Sequence, residues 1–87
     1  MECSVYGIVQ GVFYRDFVKR TAKKNKIVGT VQNQKDGNVF ICAEGEEEDL
    51  KTFLEKIRKG SFFSRIEKIE ASWLPIQSNF TDFSIVY

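Results

Sequence analysis

Apolar positions alternate with polar ones from Cys3 to Val9, with Val5, Gly7 and Val9 on one side, a period of two that predicts a first strand. From Tyr14 to Asn25 the period lengthens. Tyr14, Phe17, Val18, Thr21 and Ala22 recur at helical spacing while Lys19, Arg20, Lys23 and Lys24 fall opposite, which predicts an amphipathic helix. Asn25 and Lys26 should end it, one of them in the left-handed conformation, with no glycine present to take that role. Alternation returns from Ile27 to Asn33 and from Asn38 to Glu44, with Asp36-Gly37 between them as a hairpin turn, so these strands are expected to pair antiparallel.

Gly45-Glu46-Glu47-Glu48-Asp49 opens a second helix, whose apolar residues Leu50, Phe53, Leu54 and Ile57 lie at i, i+3, i+4 and i+7. Its charges complement the helix dipole: carboxylates at the start, Lys56, Arg58 and Lys59 at the end, and Gly60 just beyond. Ser61 to Ser64 reads as a loop in which Phe62 and Phe63 are expected to be buried anchors, with a lip over a substrate as the alternative reading. A strand follows from Arg65 to Leu74 with Ile69, Ala71 and Trp73 alternating, and Ile66 is out of phase unless a bulge or bend falls near Glu67-Lys68. Pro75 to Asn79 reads as a turn-rich connection, and Asp82 to Tyr87 as a short last strand with Phe83, Ile85 and Tyr87 on one face. The order strand, helix, strand, strand, helix, strand predicts an α+β, ferredoxin-like split β-α-β sandwich: a mostly antiparallel sheet of four to five strands with both helices on one face.

Eighty-seven residues are enough for one domain, expected to span residues 1–87. The chain is 43% hydrophobic and 29% charged, the balance of an ordinary globular protein, and no apolar run has the length of a membrane span. Neither secretory signal nor membrane association is expected, so the cytoplasm is the predicted location. Two cysteines, Cys3 and Cys42, and no histidine support neither a zinc site nor a disulfide framework. The missing histidine also removes the usual general base near neutral pH and every Ser-His or Cys-His arrangement. A formal charge of +1 exerts no overall pull on nucleic acid, yet residues 15–26 carry Arg15, Lys19, Arg20, Lys23, Lys24 and Lys26 against Asp16 alone, a local excess suited to an anion.

The chemistry concentrates where the first strand meets the first helix, in Tyr6-Gly7-Ile8-Val9-Gln10-Gly11-Val12-Phe13-Tyr14-Arg15. Two glycines can turn successive N–H groups toward one anion, and the helix start aims its free N–H groups the same way. Arg15 in the first turn meets the positive end of the dipole, a placement that an anion would balance. Taken alone, Arg15 reads as a solvated helix residue and Asn33 as a strand-end turn residue. Their neighbours reverse the first reading, since Lys19 at i+4 repels Arg15 and the glycine turn supplies donors beside it.

Gly7 to Arg15, with Gly29-Thr30-Val31-Gln32-Asn33, Asp36-Gly37-Asn38-Val39 and weaker agreement at Ser64-Arg65-Ile66 and Phe83-Ser84-Ile85, closely resembles the acylphosphatase family, whose signature is G-x-V-Q-G-V-x-[FY]-R followed by G-x-V-x-N. The resemblance spans nearly the whole chain. It implies a five-stranded sheet with two helices on one face and hydrolysis of the carboxyl-phosphate bond of acyl phosphates without metal or cofactor. It implies further that Arg15 holds the phosphate, that Asn33 positions the attacking water, and that the backbone of Gln10, Gly11, Val12 and Phe13 is the phosphate cradle. The expected partners are a small acyl phosphate and inorganic phosphate or other small anions as product or inhibitor, with no nucleic acid or membrane, and the expected state is a monomer. Two positions depart from the family pattern: Thr30, where a bulky aromatic is commoner and an effect on the core or on packing behind the site is expected, and Lys26, where glycine often follows the helix. The rival readings are a non-catalytic ferredoxin-like module that binds phosphate, RNA or a protein, and an accessory domain acting on carbamoyl phosphate within a larger enzyme.

Overall fold

A computed structural model describes residues 1–75 and 79–87. The elements run in order β1 (Glu2–Ile8), α1 (Tyr14–Lys24), β2 (Val28–Asn33), β3 (Val39–Glu44), α2 (Glu47–Lys59), β4 (Arg65–Ser72) and β5 (Phe83–Val86). They build one five-stranded sheet in the order β4-β1-β3-β2-β5. The pairs β1–β3, β1–β4 and β2–β3 are antiparallel, and β2–β5 is parallel. This is the ferredoxin-like α+β arrangement that the element order predicts, with a fifth strand at the β2 edge whose neighbour local patterning could not name. The connection expected over Pro75 to Asn79 lies partly outside the described residues.

Alternation along the strands sets the two faces of the sheet. Cys3 and Val5 of β1, Val31 of β2, Val39, Ile41 and Ala43 of β3, and Phe83 of β5 point into one buried layer. Tyr14, Val18 and Ala22 of α1 and Leu50, Phe53 and Ile57 of α2 close that layer, with Phe53 edge-on to Phe83 at 6.2 Å between ring centroids. The helices also pack on each other, so both cover the same face. On the opposite face Ser4, Tyr6, Gln32, Phe40 and Cys42 are half-buried, and Thr30 lies there among them, paired with Cys42 and Ser84. Thr30 therefore sits on the face away from the core, because strand alternation puts its neighbours Gly29 and Val31 inward.

Four local expectations are sharpened or corrected. The register between β1 and β4 jumps from Tyr6–Lys68 to Gly7–Ile66, leaving Glu67 unpaired as the bulge that brings Ile66 and Ile69 to the same side. That strand stops at Ser72, and Trp73 is half exposed rather than inward-facing. At the end of α1, Asn25 keeps φ −108° while Lys26 takes φ 60°, so the lysine carries the left-handed strain. Asn25 instead caps the helix with its side chain, Nδ2 donating to the Thr21 carbonyl at 2.7 Å. Phe62 and Phe63 are 94% and 65% exposed, stacked edge-to-face on each other at 5.0 Å rather than anchoring the loop, so each ring finds its apolar contact in the other.

Candidate active site

The loop between β1 and α1 makes two left-handed turns, at Gly11 (φ 72°) and Phe13 (φ 61°). Glycine adopts the first without strain, whereas for phenylalanine the conformation costs on the order of 1 kcal/mol. A Cβ on Gly11 would meet nothing within 4 Å, so the loop stands open to solvent there. Gly7 has a different purpose: its Cβ would collide with the Arg65 carbonyl and come within 2.9 Å of the Glu67 nitrogen, so it seats the β4 bulge rather than the cradle. Phe13 is the N-cap residue of α1 and supplies no side-chain cap. Its carbonyl accepts from the Phe17 N–H at 3.2 Å, and among the described residues no backbone carbonyl accepts from the N–H groups of residues 12–16. A helix start is ordinarily satisfied by a cap, by water or by a ligand, so these donors are available to an anion.

Beside them is a hollow of about 270 Å³ whose walls include Gly11, Phe13, Arg15, Ile85 and Tyr87. Arg15, half-buried in the first turn of α1, reaches across to β5, where Nη1 donates to the Val86 carbonyl at 3.5 Å. Its guanidinium lies 4.9 Å from the centroid of the Tyr87 ring, a cation–π contact that holds the fork at the rim. The ion pairs among the described residues are Lys23–Asp82 and Lys51–Glu47, so Arg15 spends its charge on no carboxylate.

Gln10 and Val12 do not line that hollow. Val12 packs half-buried against the core, leaving its backbone in the turn. Gln10 donates both ways from one nitrogen, Nε2 to the Gln34 carbonyl at 2.7 Å and to the Asn38 carbonyl at 2.9 Å, tying the loop to the β2–β3 hairpin. That bond brings the loop next to Asn33, the last residue of β2, whose neighbour Gln32 pairs with the same Val86 that accepts from Arg15. Asn33 lines a shallow cleft of its own with Gln32 and Gln34 rather than the Arg15 hollow. Its Oδ1 is buried with no hydrogen-bond partner, which leaves an acceptor with a desolvation cost of about 1–3 kcal/mol unless something donates to it.

Tyr14 secures the junction from beneath. Fully buried, it donates its hydroxyl to the Ile57 carbonyl at 2.9 Å, and burial pushes the phenol pKa well above its ordinary value, so it stays neutral and structural. Tyr87 and the carbonyls of Gln34, Asn38 and Val86 are the site contributors that sequence reasoning missed. Backbone acceptors leave no trace in residue type, and only the inward phase of Phe83 and Ile85 hinted at Tyr87.

A split β-α-β sandwich with an uncapped, glycine-turned helix start and an unpaired arginine is an anion-handling fold of one recognisable class. The family model described as acylphosphatase matches residues 1–85. The acylphosphatases of Leuconostoc mesenteroides and Clostridium acetobutylicum are 44% and 46% identical, the matches covering 98% and 95% of this chain and 94% and 91% of those proteins. The crystal structure of acylphosphatase from Bacillus subtilis superimposes with a TM-score of 0.95 at 42% identity, over 99% of this chain and 96% of that one. The chain belongs to the acylphosphatase family, and hydrolysis of acyl phosphates is the activity that membership carries.

Proposed function

We propose that the chain hydrolyses small acyl phosphates in the hollow at the start of α1, with Arg15 and the backbone of Gln10, Gly11, Val12 and Phe13 holding the phosphoryl group and Asn33 holding the water. The observation that carries the reading is the unpaired Arg15 beside a run of unbonded N–H groups. Together they offer a planar, permanently charged fork and fixed amide dipoles to phosphate oxygens, and they strengthen as charge spreads over those oxygens in the transition state. Asn33 stands in the neighbouring cleft with a buried, unpartnered Oδ1, and in this reading its amide turns to the edge of the hollow when substrate binds, accepts from the water and orients one of its lone pairs in line with the phosphorus. Attack forms the new P–O bond as the bond from phosphorus to the acyl oxygen breaks. A carboxylate then leaves, and with a pKa of about 4 it needs no proton from an acid. The water's proton passes to the phosphate or to solvent, so positioning and charge stabilisation carry the catalysis and no cofactor enters the reading.

The same reading makes the enzyme a monomer with inorganic phosphate as product and inhibitor. The near-neutral net charge supports the expectation that nucleic acid is not a partner, and the two free cysteines suit a reducing cytoplasm. The test is hydrolysis of benzoyl phosphate by purified protein in the presence of a chelator, run beside Arg15→Ala. Turnover by the wild type that is lost in a folded Arg15→Ala supports the assignment, while equal turnover by both would overturn the site. A folded wild type that turns over no acyl phosphate would leave a non-catalytic binding module.

A further inference from the structure

The β1–α1 loop and the β2–β3 hairpin carry the two halves of the proposed site, and the sheet stops short of joining them. Pairing between β1 and β3 ends at Val5–Val39, whereas pairing between β1 and β4 runs on to Ile8–Arg65. From Tyr6 onward the strand that leads into the loop is bonded to β4 and not to the hairpin. One side chain makes the tie again. Nε2 of Gln10 donates to the Gln34 carbonyl at 2.7 Å and to the Asn38 carbonyl at 2.9 Å, and among the described residues no other hydrogen bond joins residues 9–13 to residues 33–38. The hairpin closes without these bonds. The Gln34 N–H donates to the Asn38 carbonyl at 2.8 Å and the Gly37 N–H to the Gln34 carbonyl at 3.2 Å, so each carbonyl already has a backbone donor. The Gln10 amide takes the second lone pair of each, and because both partners are acceptors only its nitrogen end fits between them. Asn33 is the residue immediately before Gln34, half-buried with its Oδ1 unpartnered. A bond to the Gln34 carbonyl therefore acts one residue away from the side chain assigned to the water.

We propose that Gln10 is a positioning residue: its side chain sets the distance between the phosphate loop and Asn33, so that the water held by Asn33 lies in line with a phosphoryl group held by the loop and Arg15. The inference rests on the site reading above and adds to it a role for a side chain that does not line the hollow. In-line attack makes that distance critical, since a displacement of about 1 Å costs on the order of 10²-fold in rate. Phosphate itself is held on the loop side of the tie alone. Loss of the tie therefore reaches kcat and leaves phosphate affinity in place.

The experiment is a double-mutant cycle of Gln10→Met, similar in length but without donors, and Asn33→Ala, read by kcat and KM for benzoyl phosphate and by Ki for inorganic phosphate. Gln10→Met should lower kcat by about 10- to 30-fold in the wild type, with KM and Ki within about twofold, and by less than about threefold once Asn33 is alanine. An equal fall in both backgrounds would overturn the positioning role, as would an unchanged kcat or a Ki raised as much as kcat falls. Asn33→Ala as active as the wild type would instead remove Asn33 from the reaction, and the positioning role with it. Gln10→Glu keeps the length but sets a carboxylate against the two carbonyls, so it should repeat the same pattern, and it replaces Gln10→Met in the cycle if that variant does not fold. A readout without turnover keeps the two readings apart. Inorganic phosphate should shift the Asn33 side-chain amide resonance in the wild type and not in the Gln10 variant, while the Gly11 and Phe13 backbone amides shift in both. Equal Asn33 shifts in the two chains overturn the positioning role alone. Gly11 and Phe13 amides that stay unmoved in the wild type overturn the phosphate hollow, and the positioning role falls with it.

Discussion

The two helices of this protein begin in opposite ways. At α2 the chain enters extended, with Glu46 at φ −69° and ψ 152°, and the first turn carries Glu47, Glu48 and Asp49, with Lys51 bonded back to Glu47 at 3.3 Å. At α1 the chain enters through the left-handed Phe13, and the first turn sets Arg15 against Asp16. Neither helix has a side-chain hydrogen bond from its N-cap residue. The start of α2 is thus neutralised by its own sequence, since acids there complement the dipole by about 0.3–1 kcal/mol each. The start of α1 has backbone N–H groups without a protein acceptor among the described residues and sets Arg15 beside Asp16 at the positive end of the dipole, which is why we propose that an anion completes it.

The largest break in that comparison is expected from the two side chains assigned to chemistry. Arg15→Ala and Asn33→Ala should each lower kcat/KM by about 10² to 10³-fold in steady-state assays while thermal melts stay near wild type, the loss typical of one preorganised transition-state contact. Near-full activity in either would remove that residue from the site. Next come the glycines. Gly7→Ala must drive a methyl into the β4 backbone and should cost about 2–3 kcal/mol in urea denaturation, whereas Gly11→Ala faces open space and should cost only the left-handed strain of about 1 kcal/mol. Equal costs would mean that the bulge yields more easily than its geometry implies.

Alkaline pH should loosen the layer beneath α1. Burial pushes the Cys3 thiol up to about 12 and raises the Tyr14 phenol as well. Both groups therefore keep protons in the folded chain that the unfolded chain has released, so stability is complete below about pH 9 and falls as pH rises, by about 1.4 kcal/mol per pH unit for each group titrating. Denaturant midpoints between pH 8 and 11 measure this, and Cys3→Ala should flatten the earlier part of the decline. A smaller and opposite effect is expected from Lys26→Gly, which relieves the left-handed lysine and should raise stability by about 1 kcal/mol, a Tm gain of roughly 4–8 °C, with turnover unchanged. Smallest of all, Glu47→Gln should cost about 0.5 kcal/mol and leave kinetics alone, because it disturbs a helix start that has no ligand.

Much of this arrangement was legible before any coordinates. Alternation and helical spacing located all seven elements to within a few residues, since periods of 2 and 3.6 are imposed by the backbone and read directly from residue type. The out-of-phase Ile66 announced the bulge, and the glycine turn leading into Arg15 pointed to the anion site that we propose. The mistakes share a cause. Phe62 and Phe63 were expected inside because aromatic residues bury when space exists, and space is a property of how α2 and β4 meet. Gly7 was read as part of the cradle because its reason for being glycine, the Arg65 carbonyl across the bulge, is 58 positions away in the chain.

What this sequence determined by itself is therefore local and periodic: which stretches are strands, which are helices, which helix start carries an arginine in its first turn, and which chemistry the motif from Gly7 to Arg15 resembles. Only the tertiary structure decided that β5 lies parallel to β2, that Val86 and Tyr87 hold the Arg15 fork, and that Gln10 ties the loop to Gln34 and Asn38 rather than facing the hollow. Those contacts join residues up to 72 positions apart through carbonyls and ring faces. No residue type encodes them, because every residue carries the same carbonyl and the fold alone chooses which one is near.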